Sequence, residues 1–339
     1  MGVDLSALVT PQKRTLEDFR GQVIAIDAFN TLYQFLAIIR QPDGTPLMDD
    51  RGRVTSHLSG IIYRLTNFLE KGIRPVLVFD GTPPRRKART IAGRVAVKER
   101  AQREWARALE EGDLPRARTK AMQTSRLTAE MVAQARELIG ALGVPCVQAP
   151  SEGEAQAAWM AANGVAYAAG SQDYDSLLFG APVLVKNLAI TGRRKLPNKN
   201  VYVDVQPEEI RLAEVLGTLG VTREQLVDMG LLMGTDFNEG VDGIGPKKSR
   251  ALLKKHGSLR PALEALGVDI EGADEVRRIF LEPHVEADLR VTFADIDRER
   301  VLALLVDEHQ FSAERVAAAL DKLDQAREKK TQRSLDSWF

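Results

Sequence analysis

Five short apolar runs, at residues 23–28, 76–79, 145–148, 166–169 and 183–185, each end in polar or turn residues. Runs of this length without an alternating polar face suit parallel strands, whose two faces are both covered. Between them the period changes. Residues 58–71 and 127–142 place apolar side chains at helical spacing and stop at Gly72 and Gly143. Strands alternating with helices predict an α/β fold with a doubly wound, mostly parallel sheet covered by helices. Residues 98–111 also read as helical, but their apolar positions are few and Gly112 and Pro115 follow, so this helix is expected to stand off the core as a lid or arch. Turn residues at 191–194 and 197–200 bracket a predicted hairpin, and from Pro207 onward the pattern reads as helical throughout. Residues 325–337 lack core periodicity and are expected to form a disordered tail closing on Trp338 and Phe339.

With 339 residues and 44% hydrophobic content, the chain is long enough to bury a large core. No apolar run approaches the roughly 20 residues of a membrane helix, and Met1-Gly2-Val3-Asp4 lacks a signal-peptide pattern. An intracellular protein with no membrane partner is expected. The single cysteine, Cys146, excludes an internal disulfide and a thiolate metal cluster, and its apolar setting suggests an inert core position. Forty-seven basic and 47 acidic residues cancel, which at first argues against a nucleic-acid partner. The distribution argues otherwise. Residues 85–126 hold 13 Lys or Arg against five Asp or Glu, a local excess of eight. Such a run is as often only a solvated helix face.

Seven acids lie at the ends of predicted elements: Asp27, Asp80, Glu152, Glu154, Asp173, Asp175 and Asp236. The carboxyl edge of a doubly wound sheet is where ligands bind, and this topology would bring the seven together there. Singly, each has an ordinary conformational use. Ser151 and Glu154 fit a capping box, residues 236–239 would cap likewise, Asp80-Gly81 is a common turn and 173–175 a common loop. Collectively those uses fail, because seven crowded carboxylates repel one another unless a cation neutralises them. An all-oxygen set without His or Cys favours Mg²⁺ or Mn²⁺ over zinc. Two such ions about 4 Å apart suit phosphodiester hydrolysis. Lys87 and Arg94, seven residues apart and so about 10 Å apart along one helix face, would hold the scissile phosphate.

These residues together resemble the flap endonuclease family over nearly the whole chain. The similarity rests on Ile26-Asp27-Ala28, Tyr33-Gln34-Phe35-Leu36, Val78-Phe79-Asp80-Gly81 with Pro83-Pro84, Pro150-Ser151-Glu152-Gly153-Glu154-Ala155, Asp173-Tyr174-Asp175 and Gly234-Thr235-Asp236-Phe237. It implies a PIN-like nuclease core with a helical arch and a C-terminal helix-two-turn-helix. Its implied regions are 1–98 and 116–258 for the nuclease, 99–115 for the arch, 259–324 for a helical region and 325–339 for the tail. By the same resemblance, Asp27, Asp80, Glu152 and Glu154 serve one Mg²⁺ and Asp173, Asp175 and Asp236 the other, with Mn²⁺ able to substitute. Lys87 and Arg94 take the catalytic positions at the base of the arch, beneath which a free 5' end threads.

The resemblance further gives Tyr33 a stacking role and makes Arg40 and Arg64 DNA contacts, although Tyr33 would also suit the core and either arginine a solvated helix. Glu152, Gly234 and Asp236 join the DNA-contacting set. Gly2, after loss of Met1, would bring an amino terminus near the junction. Gly243 and Gly245, with Pro246, Lys247 and Lys248, form a glycine hairpin opening a helix, suited to a backbone phosphate and to a K⁺ ion. Gln332, Leu335, Trp338 and Phe339 resemble a sliding-clamp (PCNA) binding motif whose apolar residues align on a 3₁₀ turn. The implied activity is 5' flap cleavage, with associated 5'-3' exonuclease action, in Okazaki fragment maturation and long-patch base excision repair. A monomer on branched DNA, in the cytoplasm near the nucleoid, is expected. The competing readings are a related 5' exonuclease or bubble-cutting nuclease, a non-catalytic clamp-associated module, and a small-molecule phosphatase, the last disfavoured by the basic arch and glycine hairpin.

Overall fold

The computed structural model describes residues 2–195 and 202–336. After β1 (Gln12–Lys13) the chain enters the middle of a sheet as β2 (Val23–Asp27), passes through α1 (Ala28–Ile38) and α2 (Ser56–Glu70), and returns as β3 (Arg74–Phe79). A helical excursion, α3 (Ala88–Glu110) and α4 (Leu114–Ala121), precedes α5 (Ala129–Ala141) and β4 (Cys146–Gln148). Then come α6 (Gly153–Ala162), β5 (Ala168–Gly170), the short α7 (Asp175–Leu178) and β6 (Val183–Lys186). The predicted hairpin is β7 (Gly192–Lys195) with β8 (Tyr202–Val205), followed by β9 (Glu208–Arg211). Helices complete the chain: α8 (Leu212–Leu219), α9 (Arg223–Met233), α10 (Pro246–His256), α11 (Leu259–Leu266), α12 (Ala273–Leu281), α13 (Arg298–Leu302) and α14 (Ala313–Asp336).

The main sheet has the order β1-β9-β6-β5-β2-β3-β4. Strands β2 to β6 are all parallel; β9 alone runs the other way, antiparallel to both β6 and the edge strand β1. Alternation along each strand explains why the runs read as continuous apolar sequence. Ala25, Val76, Val78 and Leu184 enter one core with α6 and α9, while Ile24, Ile26, Leu77 and Phe79 enter a second with α2, α5 and α14. Both faces are thus buried, as the pattern requires. The chain leaves β2 toward β3 on one side and reaches β5 on the other, so the switch in strand order lies beside Asp27.

Several expectations need correction. The chain after Pro207 is not wholly helical, because β9 pairs antiparallel with β6 and β1 pairs with β9. Its sequence, Glu-Glu-Ile-Arg, hides the strand: the buried carboxylate of Glu209 accepts hydrogen bonds from Arg14 (3.1 Å) and the Tyr167 hydroxyl (2.9 Å) and pairs with Arg211 (2.7 Å). Partners so distant in sequence leave no local signal. Helix α3 begins ten residues before the expected 98, since Ile91 and Val95 lie on an exposed face and give no core period. Residues 325–336, expected to be disordered, continue α14, in keeping with the strong helix formers Ala326 to Lys330. Cys146 sits half-buried on the outermost strand rather than in the core, and burial pushes its thiol up to about 11, which keeps it unreactive. Among the described residues no helix is long and apolar enough to cross a membrane.

One glycine holds the layer that carries Tyr33. A Cβ on Gly60, in the middle of α2, would lie 2.2 Å from Phe35 Cγ of α1. Gly60→Ala gains about 1 kcal/mol of helix propensity but forces apart two packed helices at a cost of about 1–3 kcal/mol. Urea unfolding is therefore expected to show a net loss of stability, and a gain would contradict this close packing.

Candidate active site

The parallel strands deliver six of the seven acids to one edge, and the loop after α9 brings the seventh. Asp27 ends β2 and caps α1, its carboxylate accepting from the Asn30 backbone N–H at 2.9 Å. Asp80 follows β3 and accepts from the Gly153 N–H at 2.6 Å, an approach that any Cβ on Gly153 would block, at 2.7 Å from the same oxygen. Glu152 and Glu154 open α6 after β4, and Asp173 and Asp175 follow β5. Asp175 accepts from the Val3 N–H at 2.7 Å, and a Cβ on Gly2 would lie 2.7 Å from its carboxylate, so the amino-terminal segment fits there only as glycine. Asp236 comes from the loop after α9.

The predicted capping box at 151–154 does not form. Glu152 is the N-cap of α6 but its side chain makes no capping bond, and Glu154 turns inward to accept from the Ser171 hydroxyl at 2.5 Å. Nor does a helix start at 236–239, where the Thr235 hydroxyl instead bonds the Asn238 side chain at 2.8 Å. These acids have given up their local conformational uses to face one another.

Their electrostatics show the cost of that arrangement. Burial, reinforced by Asp80 and Asp173, raises Asp27 well above the carboxylate range. Burial likewise raises Glu154, together with Asp173, Asp175 and Asp27, and pushes Asp175 up to about 7 despite its bond from Val3. Burial also lifts Asp80 and Glu152. Two cations from the arch enter the cluster. Lys87 pairs with Glu152 and lies 4.0 Å from Asp236, and Arg94 pairs with Asp236 at 2.5 Å. Burial works against the Lys87 ammonium, yet Glu152, Asp80 and Asp236 together hold it above its usual value. Asp236 is the one acid brought below its ordinary value, burial being outweighed by surrounding positive groups that include Arg94 and Lys87.

The donor set is oxygen throughout, as a hard divalent cation requires. Raised carboxylates awaiting positive charge fit such an ion on chemical grounds. As they stand, no three described His, Cys, Asp or Glu residues converge closely enough to hold a metal ion. Lys87 occupies part of that space as the Glu152 partner, so ion binding requires the side chains to draw together.

Asn30 was not anticipated from the sequence. Its side-chain amide donates to Asp173 at 3.0 Å while its backbone serves Asp27, tying the acids of two strands together. Its position three residues after Asp27, in the first turn of α1, was the available signal. Thr90 of α3 carries no such sequence signal; its hydroxyl donates to the Asp236 carbonyl at 2.7 Å.

The DNA-contacting candidates divide. Tyr33 is 36% exposed, outside the core, with the Lys98 ammonium 4.6 Å from its ring centre. Arg40 and Arg64 are half-buried and engaged: Arg40 donates to the Leu36 and Gly44 carbonyls and the Ser125 hydroxyl, and Arg64 to the Thr191 carbonyl. Gly234, at φ +95°, closes its loop against Gly240. Gly243 (φ +71°) and Gly245 have open space where a Cβ would stand, beside a hollow of about 580 Å³. Gly245 is the N-cap of α10 with Pro246 at its first turn, and exposed Lys247 and Lys248 follow, Lys248 bonding the Gly243 carbonyl at 2.9 Å. The clamp-motif side chains Gln332, Leu335, Trp338 and Phe339 lie outside the described residues.

The XPG N-terminal domain model matches residues 1–101 and the XPG I-region model residues 143–236. The chain is similar to flap endonuclease 1 of Archaeoglobus fulgidus, 52% identical over 339 residues, and of Methanocella arvoryzae, 50% identical over 341, each across the full length of both chains. Among solved structures it is similar to flap endonuclease-1 of Methanococcus jannaschii, with a TM-score of 0.77 and 39% identity over 97% of this chain and 100% of that one.

Raised carboxylates make a pH prediction. Asp175 is protonated more readily in the folded chain, at about 7, than in the unfolded one, where 3.8 is ordinary. Its contribution to stability is therefore present below about pH 4 and lost as pH rises through about 7. A divalent cation restores that loss by binding the ionised form. Added Mg²⁺ is expected to raise the melting temperature more at pH 8 than at pH 5.5. Equal gains at the two pH values would contradict the raised carboxylates.

Proposed function

The chain belongs to the flap endonuclease 1 family, a metal-dependent, structure-specific group of nucleases, and from that premise we propose how its residues cut a 5' flap. The observation that carries the reading is the convergence of seven acids with Lys87 and Arg94 at the switch point of the sheet. Asp27, Asp80, Glu152 and Glu154 would hold one Mg²⁺ and Asp173, Asp175 and Asp236 a second. Such ions, or Mn²⁺ in their place, would supply an activated water and positive charge for the phosphodiester hydrolysis.

The rest of the mechanism belongs to the chain. Neutralised acids no longer need Lys87 and Arg94, whose side chains are then available to the scissile phosphate and its developing charge. Asn30 and the Gly153 and Val3 N–H groups keep Asp27, Asp173, Asp80 and Asp175 in place while that exchange occurs. Tyr33, exposed beside the arch, stacks on a base unpaired near the junction. The free 5' strand passes under α3 and α4, whose inner basic residues draw it in. Duplex is held at a distance, by the N-terminus of α10 with Gly243, Gly245, Lys247 and Lys248, without reading sequence. The adjoining hollow suits a K⁺ ion shared with a phosphate.

We assign the same chain 5'-3' exonuclease action on recessed ends, work in Okazaki fragment maturation and long-patch base excision repair, a monomeric state, and docking on a sliding clamp through Gln332, Leu335, Trp338 and Phe339. Leu335 and the terminal Trp338-Phe339 pair are the support for docking, since large apolar side chains on a polar tail suit a partner's groove.

Two experiments test these assignments. On a labelled double-flap DNA in Mg²⁺, Lys87→Ala is expected to slow single-turnover cleavage by about 100-fold or more while changing DNA affinity little. Equal loss of rate and affinity would make Lys87 a binding residue only. Removing residues 332–339 is expected to leave intrinsic cutting intact and abolish stimulation by the clamp. Undiminished stimulation would remove the tail from the account.

A further inference from the structure

Lys87 is the N-cap of helix α3 and Arg94 lies in its second turn, so the tilt of the helix bears on where both lie. The base is secured by Arg86, whose guanidinium pairs with Glu275 at 2.8 Å, and by Thr90 on the Asp236 carbonyl. Beyond it the helix is free of the core, with Ile91, Val95 and Val97 all exposed. Contacts at one end alone leave a long helix able to pivot.

The far end is also held. Helices α3 and α4 form a hairpin zipped by the buried alanines Ala101, Ala108, Ala117 and Ala121. The Trp105 indole N–H, about 16 Å along the helix from Arg94, donates to the Asp43 carbonyl at 3.2 Å. Asp43 belongs to the tight turn after α1, where Gly44 bonds the Gln41 carbonyl and takes φ +91°. A Cβ on Gly44 would lie 2.6 Å from the Ala121 Cβ, so the turn and the hairpin touch with no side chain between them. Arg40 braces the contact from beneath, its donors reaching Leu36 O and Gly44 O at 2.8 Å each and Ser125 Oγ, in the chain leaving α4, at 3.0 Å. Three donors of one planar fork thereby join the end of α1, the turn and the arch exit. That geometry is beyond a lysine.

We propose that Trp105 and Arg40 are positioning residues, which pin the distal end of the arch to the turn after α1 and so set the reach of Lys87 and Arg94 before DNA arrives. The proposal rests on the reading of Lys87 and Arg94 as the phosphate-holding cations. It gives Arg40 a part inside the protein beside the DNA contact expected of it, since three of its five N–H donors are committed to the brace.

The test uses the full chain with Trp105→Ala, Trp105→Phe, Arg40→Met and Arg40→Lys. Hydrogen exchange over residues 98–121 is read without DNA, single-turnover cleavage is measured on a double-flap substrate in Mg²⁺, and affinity for the same DNA is measured in Ca²⁺. Trp105→Ala and Arg40→Met are expected to speed exchange in the arch and to slow cleavage by about ten-fold or more, with affinity changed less than about two-fold. Trp105→Phe, which keeps the ring and loses the donor, falls between wild type and Trp105→Ala. Arg40→Lys behaves as Arg40→Met, since charge alone does not restore the brace. Unchanged exchange, unchanged cleavage, or a loss of affinity as large as the loss of rate would each overturn the proposal. Exchange is read in the absence of substrate, so a failure of arch docking is distinguishable from a failure of the Lys87 assignment.

Discussion

Seven carboxylates at one edge of a parallel sheet are the constraint on which this structure turns. Parallel strands leave no choice about where their carboxyl ends point, and residues placed after four of them meet whether or not their charges are compatible. Packed without a metal cation, five of them are pushed toward protonation, Asp175 to about 7 and Asp27, Glu154, Asp80 and Glu152 upward, chiefly by burial. The chain meets this from within by lending Lys87 and Arg94 to Glu152 and Asp236. Positive charge is thus exchangeable at the site, and that property suits it to a reaction in which metal ions and a phosphate enter together.

Rigidity around the cluster comes from backbone as much as from side chains. The Gly153 and Val3 N–H groups hold Asp80 and Asp175, and glycines at 2 and 153 allow approaches that a Cβ would block. In the proposed function substrate handling lies farther away, with duplex on α10 and the single strand under the α3–α4 hairpin. A sequence-independent grip at a distance leaves the edge of the sheet to select structure rather than bases.

Much of this was legible in the sequence. Short apolar runs ending in acids mark β2 and β3 and place Asp27 and Asp80 at their carboxyl ends, because burial on both faces leaves a continuous apolar signal. What was hidden depended on partners far along the chain. Strand β9 carries a buried Glu209 that only Arg14, Tyr167 and Arg211 make tolerable, and its four residues show no strand pattern alone. The Ser151 to Glu154 spacing matches a capping box, but tertiary contact with Ser171 claims Glu154 instead. Arg40 reads as a free helix arginine, although its donors are committed to a turn and an arch exit that no periodicity links. The first turns of α3 escaped because their apolar residues face outward.

If crowded, partly protonated carboxylates define this site, divalent cations must displace protons when they bind. The most direct measurement is calorimetric titration of Mn²⁺ into the DNA-free protein near neutral pH, in buffers of differing ionisation enthalpy. The account predicts net proton release that diminishes as pH rises and is reduced in Asp175→Asn. Binding with no release of protons would show that the acids were already ionised, and would contradict the protonated cluster on which the account rests.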